Sequence, residues 1–187
     1  MNAGSGIVHE EMPVPEHLET GGPIEGVQLW INLPRAAKGS APGYTDLQPE
    51  TLPWQPIPGG RIRVLAGTLA GFTGPALTPA SIAYAHVELE AGADFQQDLP
   101  EGWTAAVVPL QGTVRIEGTP VPADTVALLG AGSTLAVAAE GGTSFMVLAG
   151  APLGEPIAHY GPFVMSSRDE IEQALLDCQE GRMGHLE

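Results

Sequence analysis

Basic side chains are scarce in this 187-residue chain: seven lysines and arginines stand against 22 aspartates and glutamates, for a formal net charge of −15. Such a surface repels phosphate backbones and anionic lipid wherever salt leaves it unscreened, so direct nucleic-acid binding is excluded and solubility is favoured. Cysteine is scarcer still. The single Cys178 allows no internal disulfide framework, which fits a reducing compartment. Its place on the apolar stripe of a predicted helix makes it a buried structural thiol rather than a nucleophile. No run of 18 apolar residues occurs, and Met1-Asn2-Ala3-Gly4-Ser5 has neither a basic nor a hydrophobic stretch that a translocon would read. A cytoplasmic protein with no membrane attachment is expected. Also missing are a Gly-x-x-x-x-Gly-Lys phosphate loop and a Gly-x-Ser-x-Gly elbow, which leaves nucleotide binding and serine hydrolysis without support.

What the chain does have is glycine (25) and proline (18), dispersed between short apolar runs. That is the pattern of many strands joined by tight turns, and it predicts an all-β fold, a sandwich or small barrel. The predicted strands are Ile7–Glu11, Gly26–Asn32, Arg61–Gly67, Ile82–Leu89, Thr104–Leu110, Thr113–Glu117, Thr125–Leu129, Thr134–Ala138 and Ser144–Ala149. Prolines 34, 42, 49, 53, 56 and 58 mark 34–60 as an extended connector between two modules. One helix is signalled near the end: Ser167 and Glu170 make a capping-box pattern, Ile171, Ala174, Leu175 and Cys178 recur at helical spacing, and Gly181 follows as a stop. No repeat at a solenoid period is present.

The residues that could carry chemistry are His9 and Glu11. Two apart on a predicted strand, they share a face and could reach one ion. An imidazole with a carboxylate suits Fe(II), Mn(II) or Zn(II), but a stable site needs at least three protein ligands. Taken on spacing alone, His-x-Glu is a weak signal. Of the other histidines, His86 lies in the alternating segment Tyr84-Ala85-His86-Val87-Glu88, where a hydrogen-bonded or half-exposed ring is expected rather than a ligand. His17, His159 and His185 are expected in solvent-exposed loop or tail. Trp30, Trp54 and Trp103 are expected to be packing residues rather than a stacking platform.

The segment from Met1 through Gly6-Ile7-Val8-His9-Glu10-Glu11-Met12-Pro13, followed by Gly26-Val27-Gln28-Leu29-Trp30-Ile31-Asn32-Leu33-Pro34, closely resembles the pirin family of bicupins. The far end, Pro152-Leu153-Gly154-Glu155-Pro156-Ile157-Ala158-His159-Tyr160-Gly161-Pro162-Phe163-Val164-Met165, looks like the close of a pirin chain. The resemblance implies cupin (RmlC-like jelly-roll) β-barrels: residues 1–58 as the remnant of a first, metal-binding cupin with its connector, 59–165 as a complete and metal-free second cupin, and 166–187 as a short C-terminal helix and tail. Phe95–Pro100 and Ala127–Gly132, where a cupin usually carries ligands, hold no histidine.

In that family one iron is held by a His-x-His pair and a later His-x-Glu pair. His9 and Glu11 match the second pair, and the first has no counterpart here. The resemblance therefore implies Fe(II), incompletely coordinated by this chain, with Glu11 also the catalytic base. Met1-Asn2-Ala3-Gly4 resembles an internal stretch of pirins, so an N-terminally truncated chain is expected. The implied activity of the intact protein is that of an iron-dependent quercetin 2,3-dioxygenase acting on a flavonol-like substrate. The alternatives are a non-enzymatic, iron-dependent module whose acidic face meets a basic protein partner, and an inactive fragment.

Overall fold

The computed structural model describes residues 1–186. They form two compact units, one of Thr45–Leu153 and one of Met1–Tyr44 together with the chain from Gly154 onward.

The first of these is built from twelve strands: β1 (Gln55–Ile57), β2 (Gly60–Ala66), β3 (Thr68–Leu69), β4 (Phe72–Thr73), β5 (Ile82–Leu89), β6 (Asp94–Asp98), β7 (Thr104–Gln111), β8 (Thr113–Ile116), β9 (Thr119–Pro122), β10 (Ala127–Leu128), β11 (Thr134–Ala139) and β12 (Thr143–Gly150). A six-stranded sheet in the order β1-β2-β5-β12-β7-β10 and a four-stranded sheet in the order β6-β11-β8-β9, both antiparallel, enclose one core. β3 and β4 make a separate hairpin.

Alternation decides which side chains are inside. In β5, Ala83, Ala85, Val87 and Leu89 are buried, while Ile82, Tyr84, His86 and Glu88 lie half-exposed on the other face. β12, paired with β5 on one side and β7 on the other, is buried on both faces around Phe145, Met146 and Val147. Ile62, Val87, Val107, Val114, Leu135, Val137 and Phe145 join both sheets in the core, where Phe95 meets Phe145 edge to face at 6.3 Å.

Seven of the predicted strands are present in this unit within a few residues, Thr125–Leu129 being shortened to Ala127–Leu128. The strands not expected from sequence are those with little alternation to read. β6 has Phe95 as its one large apolar residue, and β1 and β9 are sheet edges where Pro56, Pro120 and Pro122 are tolerated because an edge strand can spare an N–H. Gly112 turns the chain from β7 to β8 at φ +77°, and a Cβ there would lie 2.9 Å from the Gly142 carbonyl oxygen.

The second unit contains α1 (Pro15–Thr20), the hairpin β13 (Ala158–Tyr160) and β14 (Phe163–Met165), and α2 (Arg168–Gln179). The expected strands Ile7–Glu11 and Gly26–Asn32 are not strands here. A strand needs a neighbouring backbone, and among the described residues no backbone hydrogen bond reaches Gly22–Leu33. The stretch 34–60 is not one extended connector: short 3-10 helices form at Arg35–Ala37 and Pro49–Thr51, β1 follows, and the units divide after Tyr44. The C-terminal helix forms as expected, with the Ser167 hydroxyl accepting from the Glu170 N–H at 3.3 Å and Gly181 at φ +73° beyond its end. Cys178 is exposed, not buried. The buried face of α2 consists of Ile171 and Ala174 with Leu175 half-buried, so the cover ends before the last turn. No described helix is long and apolar enough to cross a membrane.

Phe145 is wholly buried between the sheets. Phe145→Ala is expected to lower stability by about 3–5 kcal/mol through lost burial and a residual cavity. Leu77→Ala, at a side chain 96% exposed, is expected to change it by no more than about 0.5 kcal/mol. Urea denaturation of both variants checks the pair.

Candidate metal-binding segment

Three backbone contacts set the segment that carries His9 and Glu11. The N–H of Ser5 donates to the Ser40 carbonyl at 2.8 Å, that of Gly6 to Ala3 at 2.7 Å, and that of Val8 to Met183 at 3.0 Å. Gly6 sits at φ +119° with the Met183 side chain where its Cβ would stand, 2.5 Å from Cγ, so a larger residue would push the segment off Met183.

Beyond Val8 the chain runs free of backbone partners to the start of α1, and both His9 and Glu11 are exposed. Glu11 Oε1 accepts from Gln28 Nε2 at 2.9 Å, which leaves Oε2 available. The common-face argument for the pair does not survive, because strand alternation does not apply to an irregular segment. No three His, Cys, Asp or Glu side chains among the described residues are grouped so as to hold an ion. The donors His9 and Glu11 are chemically right for Fe(II), but two of them fall short of a protein-held site.

A buried lysine fixes the surroundings. Lys38 is 7% exposed, and its ammonium donates to Asn32 Oδ1 at 2.6 Å and to the Val164 carbonyl at 2.8 Å. Burial lowers its pKa, opposed by the nearby Glu155 and Glu170 carboxylates. Next to it the Arg35 N–H donates to Glu155 Oε2 at 2.7 Å, and the Arg35 guanidinium meets Glu170 at 3.3 Å. The Gly26–Pro34 motif and the Gly161–Met165 motif are thus held together by one ammonium. Glu170 also accepts from the Ser166 N–H at 2.8 Å, the main reason its carboxyl titrates below the usual glutamate value.

Neither Gln28 nor Lys38 was identifiable as a site residue from the sequence: a glutamine in an apolar stretch and a lysine in a proline-rich stretch carry no periodic signal. His86 is half-buried and hydrogen-bonded to Ser144 Oγ at 2.6 Å, as its position in β5 implies. His17 lies in α1 and is partly buried, His159 is exposed on β13, and His185 is exposed in the tail. Trp103 packs against the core, whereas Trp30 is 62% exposed and packs little.

The family description "Pirin C-terminal cupin domain" matches residues 84–184. Over 185 residues, 97% of this chain, the sequence is 44% identical to "Putative quercetin 2,3-dioxygenase" of Pseudomonas aeruginosa, and over 190 residues it is 34% identical to pirin of Mus musculus. The chain belongs to the pirin family. It covers 65% and 64% of those two pirin relatives, just under two thirds of their length. A crystal structure titled quercetin 2,3-dioxygenase from Acinetobacter baumannii superposes with a TM-score of 0.79 at 35% identity, covering 84% of this pirin chain and 56% of that one. The two sheets enclosing one core are therefore those of a cupin, and the short C-terminal helix belongs to the same fold.

Two outcomes follow for the lysine and its neighbours. Lys38→Ala strands two acceptors, each costing about 1–3 kcal/mol if left unsatisfied, and is expected to raise hydrogen exchange at Val8 and in β13–β14 while sparing β5 and β12. Because the folded Glu170 pKa is depressed, its contribution is present above the unfolded value of 4.5 and is lost as pH falls below it. Glu170→Gln is expected to flatten that acid-side loss in a pH series of denaturation midpoints.

Proposed function

We propose that this chain supplies His9 and Glu11 to a divalent-metal centre, with Fe(II) the expected ion, in a pirin-type protein that acts as a quercetin 2,3-dioxygenase on a flavonol-like substrate. The carrying observation is that the one carboxylate–imidazole pair in the pirin motif stands exposed, with Glu11 oriented by Gln28. The remaining ligands would come from residues outside these 187. A bound redox-active metal would supply the oxygen chemistry. This chain's own part would be to offer an imidazole nitrogen from His9 and the Oε2 oxygen of Glu11, while Oε1, which accepts from Gln28, would take a proton from a phenolic hydroxyl of the substrate on its second lone pair. Gln28 would keep the carboxylate from rotating away.

A second reading, a non-enzymatic module that meets a protein partner, is favoured by a separate observation. Met12, Val14, Leu18, Ile24 and Trp30 in the same unit are each more than half exposed, and an apolar set of that kind is commonly a contact surface. One stoichiometric partner recovered only from iron-loaded protein, without quercetin turnover, would support it.

Elemental analysis separates the leading proposal from an inactive chain. The 187 residues alone are expected to hold well under one iron, and a version with the further length present in the relatives about one, in keeping with the need for three or more ligands. In that longer version Gln28→Ala is expected to weaken iron binding by about 10–100-fold, and Glu11→Ala to abolish quercetin cleavage. Unchanged turnover in Glu11→Ala would sink the assignment.

A further inference from the structure

Four residues on the outer face of the six-stranded sheet are unused by the reading above. Arg61 and Arg63 alternate with the buried Ile62 and Val64 on β2, so both side chains leave the sheet on its outer side. The register of β2 with β5 sets Arg61 opposite Glu88 and Arg63 opposite His86. Trp54, just before β1, lies across them: its ring centroid is 4.4 Å from the Arg61 guanidinium carbon, 4.6 Å from that of Arg63 and 4.9 Å from the His86 ring. Two guanidiniums on one indole is a costly arrangement unless the ring's electron-rich face and nearby anions compensate it.

Compensation is incomplete. Arg61 donates to Glu88 at 2.6 Å. Arg63 makes no ion pair and no side-chain hydrogen bond among the described residues, and its Nε is closed off from solvent without an acceptor. Arg168 also lacks a carboxylate partner among the described residues, but of the two only Arg63 has its guanidinium held against an aromatic ring. His86 adds no charge of its own at neutral pH, because burial lowers its pKa and Arg63 and Arg61 lower it further, against the raising effect of Glu88. Two guanidiniums and one carboxylate leave a single positive charge on this face.

We propose that Arg63, with Trp54, Arg61 and His86, forms a binding site for a small carboxylate monoanion. The Arg63 Nη1 and Nη2 have no partner among the described residues and, unlike Nε, are not closed off from solvent, and a planar carboxylate can present its two oxygens to that terminal pair bidentately. A monoanion matches the residual charge. A phosphate dianion would overshoot it beside Glu88 and within a field of −15 overall. The Trp54 ring holds the fork in place, and the Ser144–His86 hydrogen bond at 2.6 Å fixes the imidazole beside it. The ligand therefore meets a prepared donor rather than a mobile surface arginine.

The test is a titration of the nitrogen-labelled 187-residue chain with sodium acetate at constant ionic strength, read by NMR at the Arg63 guanidinium and Trp54 indole N–H signals. Saturable shifts at both are expected. Arg63→Gln should weaken acetate binding by at least about tenfold and Arg63→Lys, which keeps the charge without the fork, by several-fold. Arg115→Gln, on the other sheet, should leave it unchanged. Equal perturbation of all arginines, a shift linear in acetate, or binding that survives Arg63→Lys undiminished would overturn the proposal. Tighter binding of inorganic phosphate than of acetate would overturn the ligand class. If Arg63→Gln does not fold, the lysine variant and the phosphate comparison still decide.

Discussion

The Lys38 ammonium is the contact on which the unit carrying His9 and Glu11 depends. Burying an ammonium is tolerable only where acceptors replace water, and here they come from Asn32 and Val164, 126 residues apart in the case of Val164. The unit has little else inside it: Ile171, Ala174 and Met183 are its buried apolar residues, whereas the Thr45–Leu153 unit buries a full core. Polar ties carry the work that apolar burial does elsewhere. Arg35 to Glu155 and Glu170, and Glu170 to Ser166, extend the same arrangement. Each of these is directional, so together they fix a geometry more sharply than they add stability.

That design explains why the segment bearing His9 and Glu11 can be held without a strand ladder. Its last backbone tie is Val8 to Met183, and Met183 is itself one of the few buried apolar side chains of the unit. Past that point only the Gln28 amide steadies Glu11. An imidazole and a carboxylate on such a segment keep their chemical identity but not a rigid spacing, and a metal centre would need both.

How much of this was legible in the sequence follows from where the information resides. β5 could be read because a half-buried strand alternates visibly, as Ala83, Ala85, Val87 and Leu89 do against Tyr84, His86 and Glu88, and β12, buried on both faces, because it is a short apolar run bounded by glycines. The cap of α2 could be read because Ser167 and Glu170 act over three residues. Ile7–Glu11 and Gly26–Asn32 have the same local apolar pattern and are nevertheless irregular, since pairing is a property of what lies alongside, which a local pattern does not contain. Cys178 failed for a related reason: helical spacing gives the stripe, not the length of surface available to cover it. His9 and Glu11 were singled out by motif resemblance, while Lys38 and Gln28, whose partners are remote, were not.

Electrostatics ties the two units to one argument. Of the seven basic residues, Arg35, Arg61, Arg115 and Arg182 are engaged by carboxylates and Lys38 by a carboxamide and a carbonyl, while Arg63 and Arg168 have no side-chain partner among the described residues. In a chain of net charge −15, four of the seven cations meet a carboxylate. Arg63 does not, because cross-strand register gives it His86 and the turn before β1 gives it Trp54. Register in a sheet with one buried face is among the most strongly specified features of a fold, so this placement of Arg63 is set together with the core. The same alternation that builds the core therefore also leaves Arg63 without a carboxylate on the sheet's outer face, as a consequence of the fold rather than of chance on the surface.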